Sequence, residues 1–96
     1  MNIRWFGHAG FRISFVDSSE IEKVVYIDAW MMNPMLPDDF KTVPEDADLV
    51  LVTHGHKDHA GSAPDFIKAS KKEGAKVVSN FEIGGFFNKY CDISEA

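Results

Sequence analysis

Apolar residues fall in short runs whose spacing changes along the chain, and the changes mark out the elements. Residues 2–6 form a short strand pattern with Ile3 and Trp5 on one face. Gly7-His8-Ala9-Gly10 turns the chain, and residues 11–16 alternate apolar and polar positions. That alternation predicts a half-buried antiparallel strand. After the polar loop Asp17-Ser18-Ser19-Glu20, residues 24–27 are more continuously apolar and stop at Asp28. The opening is therefore a three-strand meander with His8 at one tip and Asp28 at a strand end. An acidic turn, Glu45-Asp46-Ala47-Asp48, precedes the unbroken apolar run 49–52, which predicts a buried strand.

Further on the period lengthens. Ser62-Ala63-Pro64-Asp65 has the composition of a helix start, with Ser62 as the cap and Pro64 tolerated in the first turn. Phe66, Ile67, Ala69 and Ser70 are expected to face inward, with Lys68, Lys71 and Lys72 solvated at the carboxyl end. Those lysines could also attract a phosphate. Gly74 is expected to close the helix in a left-handed conformation. Residues 76–79 form the next strand, and Asn80 caps a second helix running from Phe81 to about Tyr90, weakened by Gly84-Gly85. Strand, helix and strand in this order predict a right-handed crossover with parallel strands. The fold class is α/β: a mixed sheet with helices on one face and the other face awaiting a partner sheet.

Residues 29–45 break this regularity. Trp30, Met31, Met32, Met35 and Leu36 are interrupted by Pro34, Pro37 and Pro44, so no regular element persists. Long irregular loops often serve as lids or binding loops. Methionines beside an aromatic suit an apolar part of a substrate or a second subunit. They equally suit filling the gap between sheet and helix.

The chemistry concentrates in Thr53-His54-Gly55-His56-Lys57-Asp58-His59. Three of the four histidines lie within six residues, between a strand leading in and a helix leading out. Imidazole and carboxylate are ligands that a borderline divalent cation such as zinc accepts. Period two along an extended backbone puts His54 and His56 on one side, so both can grip one cation. Asp58 and His59 are adjacent, and they suit a second cation reached as the chain bends. Two cations about 3.5–4 Å apart hold a water or hydroxide between them and clamp a developing oxyanion. Gly55, Ala60 and Gly61 keep the loop free of bulk. A surface cluster without a role is the plainer reading, and the strand-to-helix context argues against it. His8 could approach the metals as a substrate-polarising group or remain an exposed turn residue. Asp28 could orient a ligating imidazole or cap the local turn.

These motifs resemble the metallo-β-lactamase superfamily. His54-x-His56-x-Asp58-His59 after an apolar strand is similar to its signature. Trp5-Phe6-Gly7-His8-Ala9-Gly10-Phe11, Ile27-Asp28 and Asn80-Phe81-Glu82-Ile83-Gly84-Gly85 resemble the branch of small metal-dependent hydrolases related to ascorbate-6-phosphate lactonase. The resemblance implies that residues 1–96 are the N-terminal half of an αββα sandwich whose C-terminal half is absent. It also implies that a third histidine, a bridging aspartate and a final histidine complete the site, and no histidine follows His59. It leans toward a lactone or phosphoester substrate.

Composition narrows the remainder. A hydrophobic content of 45% with eight Phe is that of a globular chain, generous enough to pack against another half. A net charge of −5 argues against an electrostatic nucleic-acid footprint, although some relatives implied by the resemblance are nucleases. The single cysteine, Cys91, cannot form an internal disulfide and sits in no ligand spacing, consistent with a reducing compartment. No basic-then-apolar leader and no apolar run near the ~20 residues of a membrane span are present. The expectation is a cytoplasmic chain with no membrane partner.

There is no Gly-x-Ser-x-Gly elbow or dinucleotide fingerprint. The leading expectation is a hydrolase in which two divalent ions, zinc before manganese or iron, supply hydroxide to a small-molecule ester, lactone or phosphodiester. Its residues are His54 and His56 on one ion, Asp58 and His59 on the other. Asp58 and His8 act in catalysis, and Asp28 stands behind the ligands. The alternative is a catalytically incomplete metal-binding fragment or regulatory module. An exposed apolar sheet face would pair with the missing half or with a second copy.

Overall fold

A computed structural model describes residues 1–34, 36 and 42–91, with the side chains of Lys57, Asp58, Phe81, Tyr90 and Cys91 outside that description. Strands β1 (Asn2–Gly7), β2 (Gly10–Val16), β3 (Glu22–Ile27), β4 (Leu49–Leu51) and β5 (Lys76–Val78) form one sheet in the order β1-β2-β3-β4-β5. β1–β2 and β2–β3 pair antiparallel, whereas β3–β4 and β4–β5 pair in parallel. Helix α2 (Ala63–Ala69) carries the chain from β4 to β5 and packs on both, and α3 (Phe81–Cys91) follows β5. The expected α/β architecture with a mixed sheet is present. Among the described residues no helix is long and apolar enough to cross a membrane.

The register separates the two faces of the sheet. Arg12, Tyr26, Val50 and Val77 align across β2 to β5, with Ser14 opposite Val24. This face meets the helices. Tyr26 stacks on Phe66 of α2 at 4.7 Å, Phe6 contacts both rings edge-on, and Phe87 of α3 joins the same core. Trp5, Phe11, Ile27, Leu51 and Val78 align on the opposite face, beside Ile3, Ile13, Val25 and Leu49. That face is open: Ile3 is 63% exposed and Trp5 50%.

Here the alternation in β2 misleads, because its polar Ser14 is buried while the apolar Phe11 and Phe15 are exposed. Side-chain parity identifies two faces, but it does not say which is covered. Arg12 reaches the covered side because it is paired. Its guanidinium donates to Asp46 at 2.8 Å and to the Tyr26 hydroxyl, which in turn donates to Asp46 at 2.7 Å. Burial, reinforced by Asp46, pushes the Tyr26 phenol above its ordinary pKa.

Several local expectations are corrected. Ser62 stands at the start of α2, yet its hydroxyl makes no cap bond and instead accepts the Met31 N–H at 2.9 Å. A buried loop amide needs a partner, and Ser62 ties residue 31 to the helix instead of capping it. Gly74 has φ +76° but lies beyond the helix, which ends at Ala69. Ser70 ends it by turning extended and donating its hydroxyl to the Ala47 carbonyl at 2.6 Å. Lys72 is not merely solvated: its ammonium donates to Asp48 at 2.9 Å and to the Glu22 carbonyl. Lys71 pairs with Glu45. These pairings leave the phosphate reading of the lysines unsupported.

Asn80 does cap α3, accepting the Ile83 N–H through its side chain. In the long loop, Met31, Leu36 and Val43 pack against the core and Met32 is exposed, which fits the gap-filling role. Met35 and Pro37 lie outside the described residues.

Candidate metal centre

The site stands at the end of the sheet where β3 and β4 both finish. β3 gives way to Asp28, whose backbone enters the left-handed region at φ +47°. Aspartate tolerates this region better than most residues, and the twist takes it out of the strand. Gly10 allows the hairpin tip to rest on that corner. A Cβ there would lie 3.1 Å from both the Asp28 carbonyl oxygen and the Ala29 Cα.

β4 leads through Val52 and Thr53 into the histidine loop. After His56 the chain turns at once into a four-residue helix, α1 (Lys57–Ala60), because the His56 carbonyl accepts the N–H groups of His59 and Ala60. The bend is expected from the sequence but the helix at these residues is not, and it folds His59 back against His54. Their ring centroids are 3.8 Å apart, and those of His54 and His56 are 4.8 Å apart. The backbone of Asp58 lies in α1, and its side chain is outside the described atoms.

Asp28 organises the cluster. Its Oδ1 accepts the Thr53 N–H at 2.9 Å, and its Oδ2 accepts the Thr53 hydroxyl at 2.5 Å and His59 Nδ1 at 3.0 Å. Burial raises the Asp28 carboxyl, but the bonds from Thr53 and His59 outweigh it and hold the pKa below its ordinary value. An ionised carboxylate only accepts, so His59 carries its proton on Nδ1. The Thr53 hydroxyl donates its one proton in the hydrogen bond to Asp28, so toward His54 Nδ1, 3.0 Å away, it acts as acceptor. On this network the Nδ1 of each imidazole is engaged, His59 by Asp28 and His54 by Thr53, and Nε2 is the atom each would offer a metal. One carboxylate sets both tautomers, directly for His59 and through Thr53 for His54.

Ligand atoms of Asp28, His54 and His59 lie within 4.8 Å of one another. Two imidazoles beside a carboxylate are the donor set that a borderline divalent cation takes, so these residues fit a metal ion. Both Asp28 oxygens already accept hydrogen bonds, the engagement of a carboxylate that orients ligands. His8 comes from the β1–β2 turn, its ring 5.6 Å from His59 and 5.9 Å from Trp30. Its φ of +52° makes it a second left-handed residue facing the cluster, and such conformations gather at functional sites. Thr53 is the functional residue the sequence reading missed. The only signal was a hydroxyl at the exit of an apolar strand, directly before a histidine.

Beside the loop, Gly55, Ala60 and Gly61 face Glu82, Ile83 and Phe86 of α3 across an open apolar hollow of about 420 Å³. Gly55 has no positive φ, so its contribution is absent bulk. A Cβ at that position would sit 3.7 Å from Ile83.

Comparison with known proteins follows the same outline. Residues 2–89 match the beta-lactamase superfamily domain. A metal-dependent hydrolase of Azorhizobium caulinodans is 38% identical over 91 residues, covering 92% of this chain and 36% of that protein. One from Staphylothermus marinus is 39% identical over 84 residues, covering 84% of this chain and 35% of its own length. The structure of a metallo hydrolase from Ignicoccus hospitalis matches with a TM-score of 0.76 at 28% identity, over 98% of this chain and 37% of that one. The chain thus spans about a third of the length of these relatives. It belongs to the β-lactamase superfamily.

Proposed function

We propose that this member of the superfamily forms the metal-binding part of a hydrolase site acting on a small-molecule ester, lactone or phosphodiester. The observation that carries the reading is one carboxylate, Asp28, hydrogen-bonded to His59 directly and to His54 through Thr53, with the two rings 3.8 Å apart. The relatives' printed names, metal-dependent hydrolase and metallo hydrolase, support the class of activity.

On this reading His54, His56 and His59 hold metal through imidazole nitrogen. Asp58 completes the set for a second ion, with zinc favoured by the histidine-rich donors. A bound divalent cation supplies the nucleophile by lowering the pKa of water toward neutrality. Catalytic zinc normally has three protein ligands. We place the remaining ligands in the part of the relatives' domain beyond the matched third, packed on the open apolar face of the sheet.

The chain's own residues do three further things. Asp28 and Thr53 engage the Nδ1 atoms of His59 and His54 and so direct Nε2 of each toward the metal. His8, whose ring stands 5.6 Å from that of His59, offers an imidazole N–H to an oxygen of the substrate. The apolar hollow between the loop and α3 is of a size that receives part of a small molecule.

The test is metal analysis together with hydrolysis of p-nitrophenyl acetate and bis(p-nitrophenyl) phosphate by the full-length protein and its His54→Ala and His59→Ala variants. Each variant is expected to lose bound metal and ~100-fold or more in turnover. Unchanged metal content in both variants overturns the ligand assignment. Metal binding by a parent protein that hydrolyses neither probe, nor a lactone series, makes the chain a binding module and overturns the hydrolase.

A further inference from the structure

The β1–β2 hairpin reverses direction through two successive left-handed residues, Gly7 at φ +87° and His8 at φ +52°. The ladder slips between Trp5 and Gly7 as it enters the turn. Glycine adopts such angles freely, whereas histidine does so at a conformational cost, so something must hold His8 there. Trp5 supplies that hold. Its indole Nε1–H donates to the His8 carbonyl at 2.9 Å, closing the turn from the end of the strand. The Trp5 ring itself lies on the open face of the sheet opposite Phe11, half exposed.

We infer that Trp5 is a positioning residue: its indole N–H fixes the turn that keeps the His8 imidazole beside His59 and Trp30. The inference rests on the reading of His8 as a group that meets the substrate. The hydrogen bond it makes goes to the His8 backbone, and Trp5→Phe keeps an aromatic ring on the face of the sheet, so the change is aimed at His8. The carbonyl it holds belongs to the strained residue itself, so releasing it lets His8 leave the left-handed conformation and swing its ring away from His59.

The experiment is a double-mutant cycle in the full-length, metal-loaded protein with Trp5→Phe, His8→Ala and the pair. Phenylalanine keeps an aromatic ring on the sheet and removes only the donor. The readouts are kcat and KM on p-nitrophenyl acetate, metal content, and the proton–carbon correlation of the His8 ring by NMR. Trp5→Phe is expected to lower kcat about fivefold, the effect of one lost hydrogen bond. KM and metal content should be unchanged, and the His8 ring signal should shift or broaden. In the His8→Ala background the same change should cost nothing more.

An equal loss from Trp5→Phe with and without His8 overturns the inference, as does an unmoved His8 signal. Loss of kcat in His8→Ala with none in Trp5→Phe overturns the inference alone. Wild-type kcat in His8→Ala overturns the role of His8 and the inference together.

Discussion

Two aspartates clamp β3 to β4, one at each end of the parallel pair, and the contrast between them separates what holds this fold from what arms it. At the entrance, Asp48 accepts the Val24 N–H at 2.9 Å and the Lys72 ammonium at 2.9 Å. At the exit, Asp28 accepts the Thr53 N–H, the Thr53 hydroxyl and an imidazole. Both carboxyls are held below their ordinary pKa because hydrogen bonds outweigh the effect of burial.

The partners decide the difference. A lysine carries a permanent charge, so Asp48 closes an ion pair and its chemistry stops there. Two of the partners of Asp28, the Thr53 hydroxyl and the His59 imidazole, carry a second functional atom, so the bonds it accepts from them bear on how the imidazoles are presented. Only the exit aspartate sits in left-handed backbone. A carboxylate of similar type and reach is structural at one end of the strands and directive at the other.

Substitutions that remove charge and little else should split the two roles. Asp28→Asn is expected to weaken metal binding by ~10- to 100-fold, the usual cost of losing a carboxylate behind a ligating histidine. Asp48→Asn should leave that affinity within twofold of the parent while lowering unfolding free energy by about 2 kcal/mol, the scale of a charged hydrogen bond. Metal titration and urea denaturation of both variants decide the matter, and equal effects on both quantities would erase the distinction.

A smaller effect is expected from Thr53→Val, which is nearly isosteric. It removes the relay to His54 and leaves the bond to His59, so metal affinity should fall only ~3- to 10-fold.

The pH dependence follows from the same pair. A carboxyl whose folded pKa lies below its unfolded value adds stability that is complete above the unfolded pKa, about 4. That stability is lost as pH falls through the folded value. Unfolding free energy of the metal-free protein should therefore drop below about pH 4, and Asp48→Asn should flatten the drop. A flat profile in the parent would contradict the depressed values.

The strands and their mixed pairing were legible because residues 24–27 and 49–52 are apolar runs bounded by polar turns. The histidine spacing drew attention to the loop for the same reason: it is a local pattern. What stayed hidden depends on contacts between distant residues. Whether Phe11 or Ser14 of β2 is buried turns on which face the helices cover, and no residue in that strand records it. Four residues are too few to show helical periodicity, so α1 could not be read ahead, although the bend that brings His59 toward the other histidines was expected. Thr53 and Trp5 act through single hydrogen bonds, and the sequence carries no pattern for those. Ser62 looked like a cap because its type suits that role, but the amide of Met31, thirty-one residues earlier, claims its hydroxyl.

The central claim is that Asp28 sets the proton on both imidazoles, and two-bond proton–nitrogen NMR correlations of isotope-labelled histidine in the metal-free protein at neutral pH test it most directly. The account predicts that His54 and His59 both carry the proton on Nδ1, and that His59 loses this preference in Asp28→Asn. Protons on Nε2 of either residue in the parent, or an unchanged His59 pattern in the variant, would contradict it.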